Sequence, residues 1–348
     1  MSPSVPNPAI DIIVPVWNRP AETRNCLVNL LNYSPCARLI MVDNCCDRET
    51  EKLLQEFSES LDDKALMFRS DVNLGVVKAL NRGLEKGEAK YLCVIKNTTM
   101  VGPGWLEPLI EFAEQKEEAG LIAPRLLLKG EEKKREKHDV TEVLHGSFSA
   151  MLIKKTLYDA IKGFDEEMDG GMWCLKDYSR RACRAGFYTF LMNRSDVRYE
   201  EDVQFGSETR RQENLQKTIE EFRRRWGDDS SYCLLMPKKM DADLLRSRLE
   251  SLLPASRQGF FFHVIVPSRL YKDMVKSGHD ALHEWIRLYP LPLFYTAANI
   301  RKLISRIVSE SPETGVVAGI DGMSCKGVDL LPFADLERRI EDATDRRN

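Results

Sequence analysis

Tyr91–Leu106 reads YLCVIKNTTMVGPGWL. Tyr91 to Ile95 is an unbroken apolar run rich in β-formers, the pattern of a buried strand. At Lys96-Asn97-Thr98-Thr99 the chain turns abruptly polar, and Gly102-Pro103-Gly104 punctuates it. Trp105 and Leu106 then open a helical pattern that carries Leu109, Ile110 and Phe112. Open α/β sheets place their chemistry at the carboxyl ends of buried strands. The four polar side chains after Ile95 are therefore candidate functional residues.

Upstream, the same strand–helix alternation repeats. Ile10 to Val16 (IDIIVPV) is an apolar strand. Asn18-Arg19-Pro20 is a loop, with Pro20 suited to the first turn of a helix carrying Leu27, Leu30 and Leu31. Arg38 to Val42 is a second strand, ending at Asp43-Asn44, and TEKLLQEFSESL is a helix. Ala65 to Phe68 is a third strand. The turn Asn73-Leu74-Gly75 then opens a helix over Val76 to Glu85. Strands alternating with helices imply right-handed βαβ units and a mostly parallel sheet.

Downstream, Leu121 to Leu128 and His145 to Ile153 are strand-like, separated by the charged run GEEKKREKH, read as a solvated loop. Gly163-Phe164-Asp165 is a turn, and a helix over Lys176 to Ala185 ends at Gly186. Phe187 to Met192 is a further strand. Glu208 to Trp226 is a charged helix, whose Arg223-Arg224-Arg225 is read as a solvated face. Gly227 to Ser231 is the linker candidate. A new alternation follows: a strand at Tyr232 to Met236, a helix at Ala242 to Leu253, and the strand FFFHVIV at Phe260 to Val266. Two helical stretches come next, with His279 and His283 spaced i, i+4, then a strand at Leu291 to Tyr295. A helix over Ile300 to Ser309 and a strand at Gly315 to Ile320 complete it. The chain is thus expected as two α/β domains, residues 1–227 and 232–348.

The totals agree. The chain has 348 residues, too many for one ordinary core, with 43% hydrophobic and 30% charged residues. A net charge of −3 gives no global field for nucleic acid. No apolar window of roughly 18 residues exists, so no transmembrane segment is expected. The opening MSPSVPNPAIDIIVPVWN has no basic region before its apolar run, so no secretory leader is expected. Nine irregularly spaced cysteines without a CxxC argue for a reducing, cytoplasmic location and no zinc site.

Six segments in order resemble a family 2 glycosyltransferase: IIVPVWNRPAET, MVDNCCDRET, NLGVVKALNRGL, NTTMVGPGWL, GSFSAMLIKK and GFDEEM. The resemblance spans residues 10 to 207 and implies the GT-A fold, a Rossmann-like nucleotide-sugar-binding α/β sheet. A dinucleotide fold is disfavoured because no GxGxxG follows the first strand.

The resemblance implies roles that chemistry allows. Pro15, Val16, Asn18 and Arg19 would line the nucleotide. Asp43, beside Asn44, would accept a hydrogen bond from a pyrimidine N–H; its plain alternative is capping the turn. Asn73 and Gly75 would form the loop beside base and ribose. Lys78 and Arg82, one helical turn apart, would reach phosphate or simply meet solvent. Asp177 would be the general base, with Lys176 in place of the family's preceding acid. The metal position departs from the family: Thr98 stands where a carboxylate is expected, between Asn97 and Thr99, with Lys96 adding a cation. Tyr199 falls where a histidine ligand is expected, next to Glu200, Glu201 and Asp202. Mn2+ or Mg2+ would thus bind weakly if at all.

The expected activity is inverting transfer from a UDP-, dTDP- or GDP-sugar to a glycan, lipid-linked or protein acceptor, by a cytoplasmic protein peripheral to the membrane at most. The alternative is a catalytically inactive transferase-like binding or assembly module. A nucleotidyltransferase lacks its Gly-rich basic loop.

Overall fold

The computed structural model describes residues 10–133, 136–168, 172–200 and 208–347. The chain forms two compact units, residues 1–140 with 145–222, and residues 141–144 with 223–348.

The first unit opens with β1 (Ile10–Val16), α1 (Pro20–Tyr33), β2 (Ala37–Asn44), α2 (Arg48–Leu61), β3 (Ala65–Ser70) and α3 (Val76–Glu85). It continues with β4 (Tyr91–Ile95), α4 (Glu107–Gln115) and β5 (Ala119–Leu128). The short β6 (Val140–Glu142) carries the chain into the second unit. The first unit then resumes with β7 (Ala150–Lys154), α5 (Lys155–Ile161), α6 (Trp173–Arg184) and β8 (Tyr188–Tyr199), and α7 (Glu208–Trp226) leaves it. The strand order is β3-β2-β1-β4-β7-β5-β8-β6, and through β8 the strands are parallel except for β7, which runs antiparallel to β4 and β5.

The central strands are buried along almost their whole length because helices cover both faces of such a sheet. The charged residue of β1, buried Asp11, closes the amino end. Its carboxylate takes two bonds from Arg38, at 2.7 and 2.9 Å, and backbone N–H bonds from Glu88 and Ala89 at 2.7 and 3.0 Å. Burial raises its pKa, but Arg38 and the two N–H groups outweigh it and leave the carboxyl below its usual range. On α3, Gly83 faces β1 and β2, where an added Cβ would lie 2.4 Å from the Ile13 side chain.

Three local expectations change. β8 extends seven residues beyond Met192, because the polar NRSDVRY segment pairs with β5 after a register shift at Pro124/Arg125. The strand expected from His145 begins only at Ala150. α6 begins at Trp173, three residues early, so Asp177 lies in its second turn, beyond the reach of a first-turn acid on the helix dipole.

The second unit contains β9 (Ser230–Leu235), α8 (Ala242–Arg257), β10 (Phe260–Pro267), α9 (Ser268–Lys276), β11 (Ile286–Leu291), α10 (Ala297–Glu310), β12 (Gly315–Ala318) and α11 (Phe333–Arg347). Its strands are all parallel, in the order β11-β10-β9-β12. α8 runs through Pro254 rather than stopping before it, and α11 is an additional helix.

The stretch Leu291–Tyr295 is not a strand. The strand is Ile286–Leu291, an edge strand paired only with β10, where Pro290 is tolerated. The expected helical His279/His283 pair is absent as well. His279 sits in a 3-10 turn and bonds Glu250 at 3.0 Å, while buried His283 accepts the Trp285 N–H at 3.0 Å. Among the described residues, no helix is long and apolar enough to cross a membrane.

Candidate active site

The carboxyl ends of β1, β2 and β4 converge through side chains (the turns alone do not join them). After β1, Asn18 and Arg19 take left-handed conformations with φ of 55 and 64°. That turn feeds Pro20 at the start of α1, where proline's fixed φ fits. It is held from three sides. The Asn18 N–H donates to Cys46 Sγ at 3.2 Å, and the Cys46 thiol donates to the Val16 carbonyl at 3.2 Å. Asn18 Oδ1 accepts the Asp47 N–H at 2.7 Å. The Asn18 carbonyl accepts from Thr23 Oγ1 and Asn97 Nδ2 at 3.3 and 3.4 Å. Burial pushes the Cys46 thiol up to about 12, so it works here as a neutral hydrogen-bonding group.

At the end of β2, Asp43 has no exposed surface. One oxygen accepts the Cys46 N–H at 2.8 Å and the other accepts from Arg69 at 3.2 Å. Arg69 also pairs with Glu51 at 2.5 Å. Asn44 is the clamp for the next loop. Its amide donates to Asn73 Oδ1 and the Gly75 carbonyl at 3.0 and 3.3 Å, and its oxygen accepts the Leu74 N–H at 2.8 Å. Gly75, with φ of 83°, then turns into α3.

At the end of β4, Asn97 donates to Thr23 Oγ1 at 2.9 Å and Thr99 donates to the Ser149 carbonyl at 2.8 Å. Thr98 is 3% exposed, and its buried hydroxyl has no hydrogen-bond partner among the described residues. Lys96, half-buried, fixes the strand end through its backbone N–H to the Ser149 carbonyl at 3.2 Å. Paired backbone bonds of 2.7 and 2.8 Å between Met100 and Arg198 bring the end of β8 alongside, and with it Tyr199 and Glu200. Glu200 pairs with Lys129 at 2.6 Å, which holds its carboxyl below the usual range, and reaches Arg19 at 3.8 Å. Arg19 is itself tied to Glu22 at 2.8 Å.

This donor set does not fit a hard divalent cation, which needs several charged oxygens. Thr98 and Tyr199 offer hydroxyls and Asn97 a neutral amide oxygen, and none of the three is a carboxylate. Among the described residues, no group of three or more His, Cys, Asp or Glu side chains can hold a metal. Glu201 and Asp202 lie outside the described residues, as does the Gly170-Gly171 pair before α6.

Other expected residues lie apart from this cluster. Lys78 is half exposed and pairs with Glu166 at 3.9 Å, and Arg82 is exposed. Asp177 is fully buried, and its Oδ2 accepts from Arg181 at 2.8 Å. Arg181 also donates to the carbonyls of Ile161 and Gly163 at 3.0 and 2.9 Å. Asn81 holds the adjoining Gly163-Phe164-Asp165 turn through bonds of 2.8 Å to both the N–H and the carbonyl of Phe164. A cavity of about 550 Å³ lies beside this turn, lined by Asn81, Lys155, Tyr158 and Lys162 among others, and no residue of the strand-end cluster lines it.

Reading the sequence did not single out Arg69, Cys46, Thr23 or Asn81. Thr23, Cys46 and Asn81 lie within the family-like segments, Asn81 as the second Asn of NLGVVKALNRGL, and Arg69 lies outside them. All four are ordinary residues whose partners are remote in sequence.

The family model Glycosyl transferase family 2 matches residues 11–176. Over this stretch the chain is similar to family 2 glycosyltransferases. A curated relative, "Putative teichuronic acid biosynthesis glycosyltransferase TuaG" of Bacillus subtilis (strain 168), is 26% identical over 106 residues. That match covers 30% of this chain and 42% of the relative, so the chain spans less than half of that relative's length. Among solved structures, GalNAc-T7 crystallised with UDP, GalNAc and Mn2+ superposes with a TM-score of 0.55 at 12% identity. The superposition covers 89% of this chain and 59% of that one. The first unit therefore has the GT-A fold.

Proposed function

We propose that the chain transfers a sugar from a nucleoside-diphosphate sugar to an acceptor hydroxyl, with inversion and without depending on a divalent cation. One observation carries this reading: buried Asp43 stands at the end of β2 between the clamped turns Asn18-Arg19 and Asn73-Gly75. The Asp43 carboxylate, held there by Arg69, has lone pairs left for a base N–H, which would reach them only once the flanking turns part, since Asp43 has no exposed surface. UDP and dTDP supply such an N–H through their pyrimidines, and GDP through guanine. Glycan, lipid-linked and protein hydroxyls are all admissible acceptors.

In the reaction, the acceptor oxygen attacks the anomeric carbon as the bond to the diphosphate oxygen breaks. The acceptor proton passes to a carboxylate, and Asp177 is the proposed base. The leaving diphosphate needs compensating charge. Lys96 and Arg19 are the cations that the β4 and β1 ends provide, in place of the metal that Thr98 does not hold.

A second reading has its own support. Half-buried Arg181 occupies one oxygen of fully buried Asp177, as a purely structural carboxylate would be held. The chain would then bind a donor without turning it over.

The test is a turnover screen over UDP-, GDP- and dTDP-sugars with Mn2+ or EDTA, beside calorimetric nucleotide binding. Turnover undiminished by EDTA is expected. Nucleotide binding without any turnover selects the binding module, and no nucleotide binding at all overturns both readings. For Asp177→Asn, a base predicts kcat lower by about 10²- to 10⁴-fold with donor affinity kept. A structural carboxylate predicts a lower melting temperature instead.

A further inference from the structure

Pro292-Leu293-Phe294-Tyr295, the apolar run expected as a strand, is an exposed loop at the carboxyl end of β11. Leu293 is 70% and Phe294 89% exposed, the two highest values for large apolar side chains among the described residues. Scattered single apolar side chains are ordinary on a surface, but two adjacent ones at a loop tip are a patch.

The surroundings give the patch a charge. β10 lies between β11 and β9, so the loops after β11 and β9 flank its end. The loop after β9 carries exposed Lys238 and Lys239, and Lys238 Nζ lies 5.8 Å from the Tyr295 ring centre. Exposed Arg269 opens α9 directly after β10. Carboxylates share this edge too: Asp243 in the first turn of α8 pairs with Arg246, Asp329 is exposed in the loop after β12, and Asp241 and Asp321 cap helices. Asp241 accepts the N–H groups of Asp243 and Leu244 at 2.8 and 3.3 Å, and Asp321 accepts those of Phe333 and Ala334 at 2.9 and 3.4 Å. The partial positive charge of each helix N-terminus offsets them. The apolar tip stands beside Lys238 and Lys239, with Arg269 after the next strand.

We propose that this edge of the second unit seats on an anionic lipid surface. Leu293 and Phe294 enter the headgroup region, Tyr295 sits at the boundary, and Lys238, Lys239 and Arg269 face anionic headgroups. A bilayer fits better than a protein partner. Protein interfaces are depleted in lysine, whereas Tyr and Lys both suit a boundary between water and lipid. Side chains this exposed protrude, as insertion requires.

The test is sedimentation of the full chain with vesicles of phosphatidylcholine alone or mixed with phosphatidylglycerol, over a range of salt. Binding to the mixed vesicles is expected, weak on phosphatidylcholine and falling with salt. Leu293→Ser/Phe294→Ser should weaken it about tenfold or more with an unchanged melting temperature. Lys238→Ser/Lys239→Ser should weaken it about tenfold or more at low salt, and far less at high salt. Absence of binding to the mixed vesicles at low salt, or undiminished binding by the Leu293/Phe294 variant, overturns the proposal. So does wild-type self-association that this variant abolishes, which would assign the tip to a second copy of the chain. Donor turnover on a soluble acceptor is read separately, so failure here leaves the proposed reaction standing.

Discussion

The two parallel sheets end in opposite ways. At the carboxyl edge of the first, Asn18, Asp43, Asn44 and Asn97 each hold a neighbouring loop by hydrogen bonds of 2.7 to 3.4 Å. At the corresponding edge of the second, Leu293 and Phe294 stand in solvent beside exposed lysines. The same architecture, strands feeding loops at one edge, has been built once as a set of hydrogen-bonded, clamped loops and once as a bare surface. A pocket for a charged small molecule needs its polar groups fixed before binding, because ordering them afterwards costs affinity. A surface that meets a fluid partner needs no such fixing.

The sharpest way to break this contrast is to cut one residue from each edge. Asp43→Ala removes a buried acceptor from Arg69 and the Cys46 N–H. It should destabilise the first unit by about 3 kcal/mol, tempered by the partial exposure of Arg69, and lower nucleotide affinity with it. Denaturant unfolding and calorimetry read both effects, and an unchanged stability would show that the clamp is not pre-organised.

Acid should separate the units next. Burial, with a smaller contribution from Arg257, pushes His283 down to about 3, and burial also lowers His263. Both stay neutral when folded while their unfolded forms take up protons below the ordinary value of 6.5. The stability they contribute is complete above pH 6.5 and lost as pH falls toward 3. For His283 the slope is about 1.4 kcal/mol per pH unit, or about 3 kcal/mol over two units at most. In the first unit, Asp11 and Asp196 have lowered values, so their contributions fade only as pH drops below the ordinary 3.8. Hydrogen exchange at pH 4.5 should therefore show β10 opening more readily than β1, and equal opening would refute this assignment.

Gly83→Ala should cost about 1–3 kcal/mol, because its Cβ would meet Ile13 at 2.4 Å on the inner face of α3. Since α3 seats the Asn73–Gly75 turn, nucleotide binding should weaken in parallel; calorimetry on the folded variant measures that. The smallest effect belongs to the second edge. Phe294→Ala should leave thermal stability within about 0.5 kcal/mol, because an exposed side chain holds nothing. A large loss would show that the tip is packed in the native protein.

Much of the first edge was legible in the linear chain. Ile10–Val16, Val76–Glu85 and Tyr91–Ile95 occupy the spans that their periodicity suggests. The turns between them carry polar residues where chemistry belongs. Less legible was what depends on pairing. NRSDVRY looks like loop, but β5 makes it strand, since backbone bonds are available to any side chain that faces outward. PLPLFY looks like strand, but the pairing with β10 stops at Leu291 and leaves the rest outside. Asp177 looked like the opening acid of a helix and lies instead in its second turn, paired with Arg181.

By itself, the sequence determined the alternation of strands and helices, the family 2 segments and the lack of a carboxylate at Thr98, because these are written in local pattern and residue type. Tertiary structure alone decided which side chains hold the strand ends and which face solvent. Asp43 meets Arg69 across 26 residues, and Asn97 meets Thr23 across 74. Such bonds form only when parallel strands bring their carboxyl ends side by side, so no local pattern announces them. Of the 91–106 stretch, composition supplied the buried strand and the polar turn, and packing left Thr98 with a buried hydroxyl and no partner among the described residues.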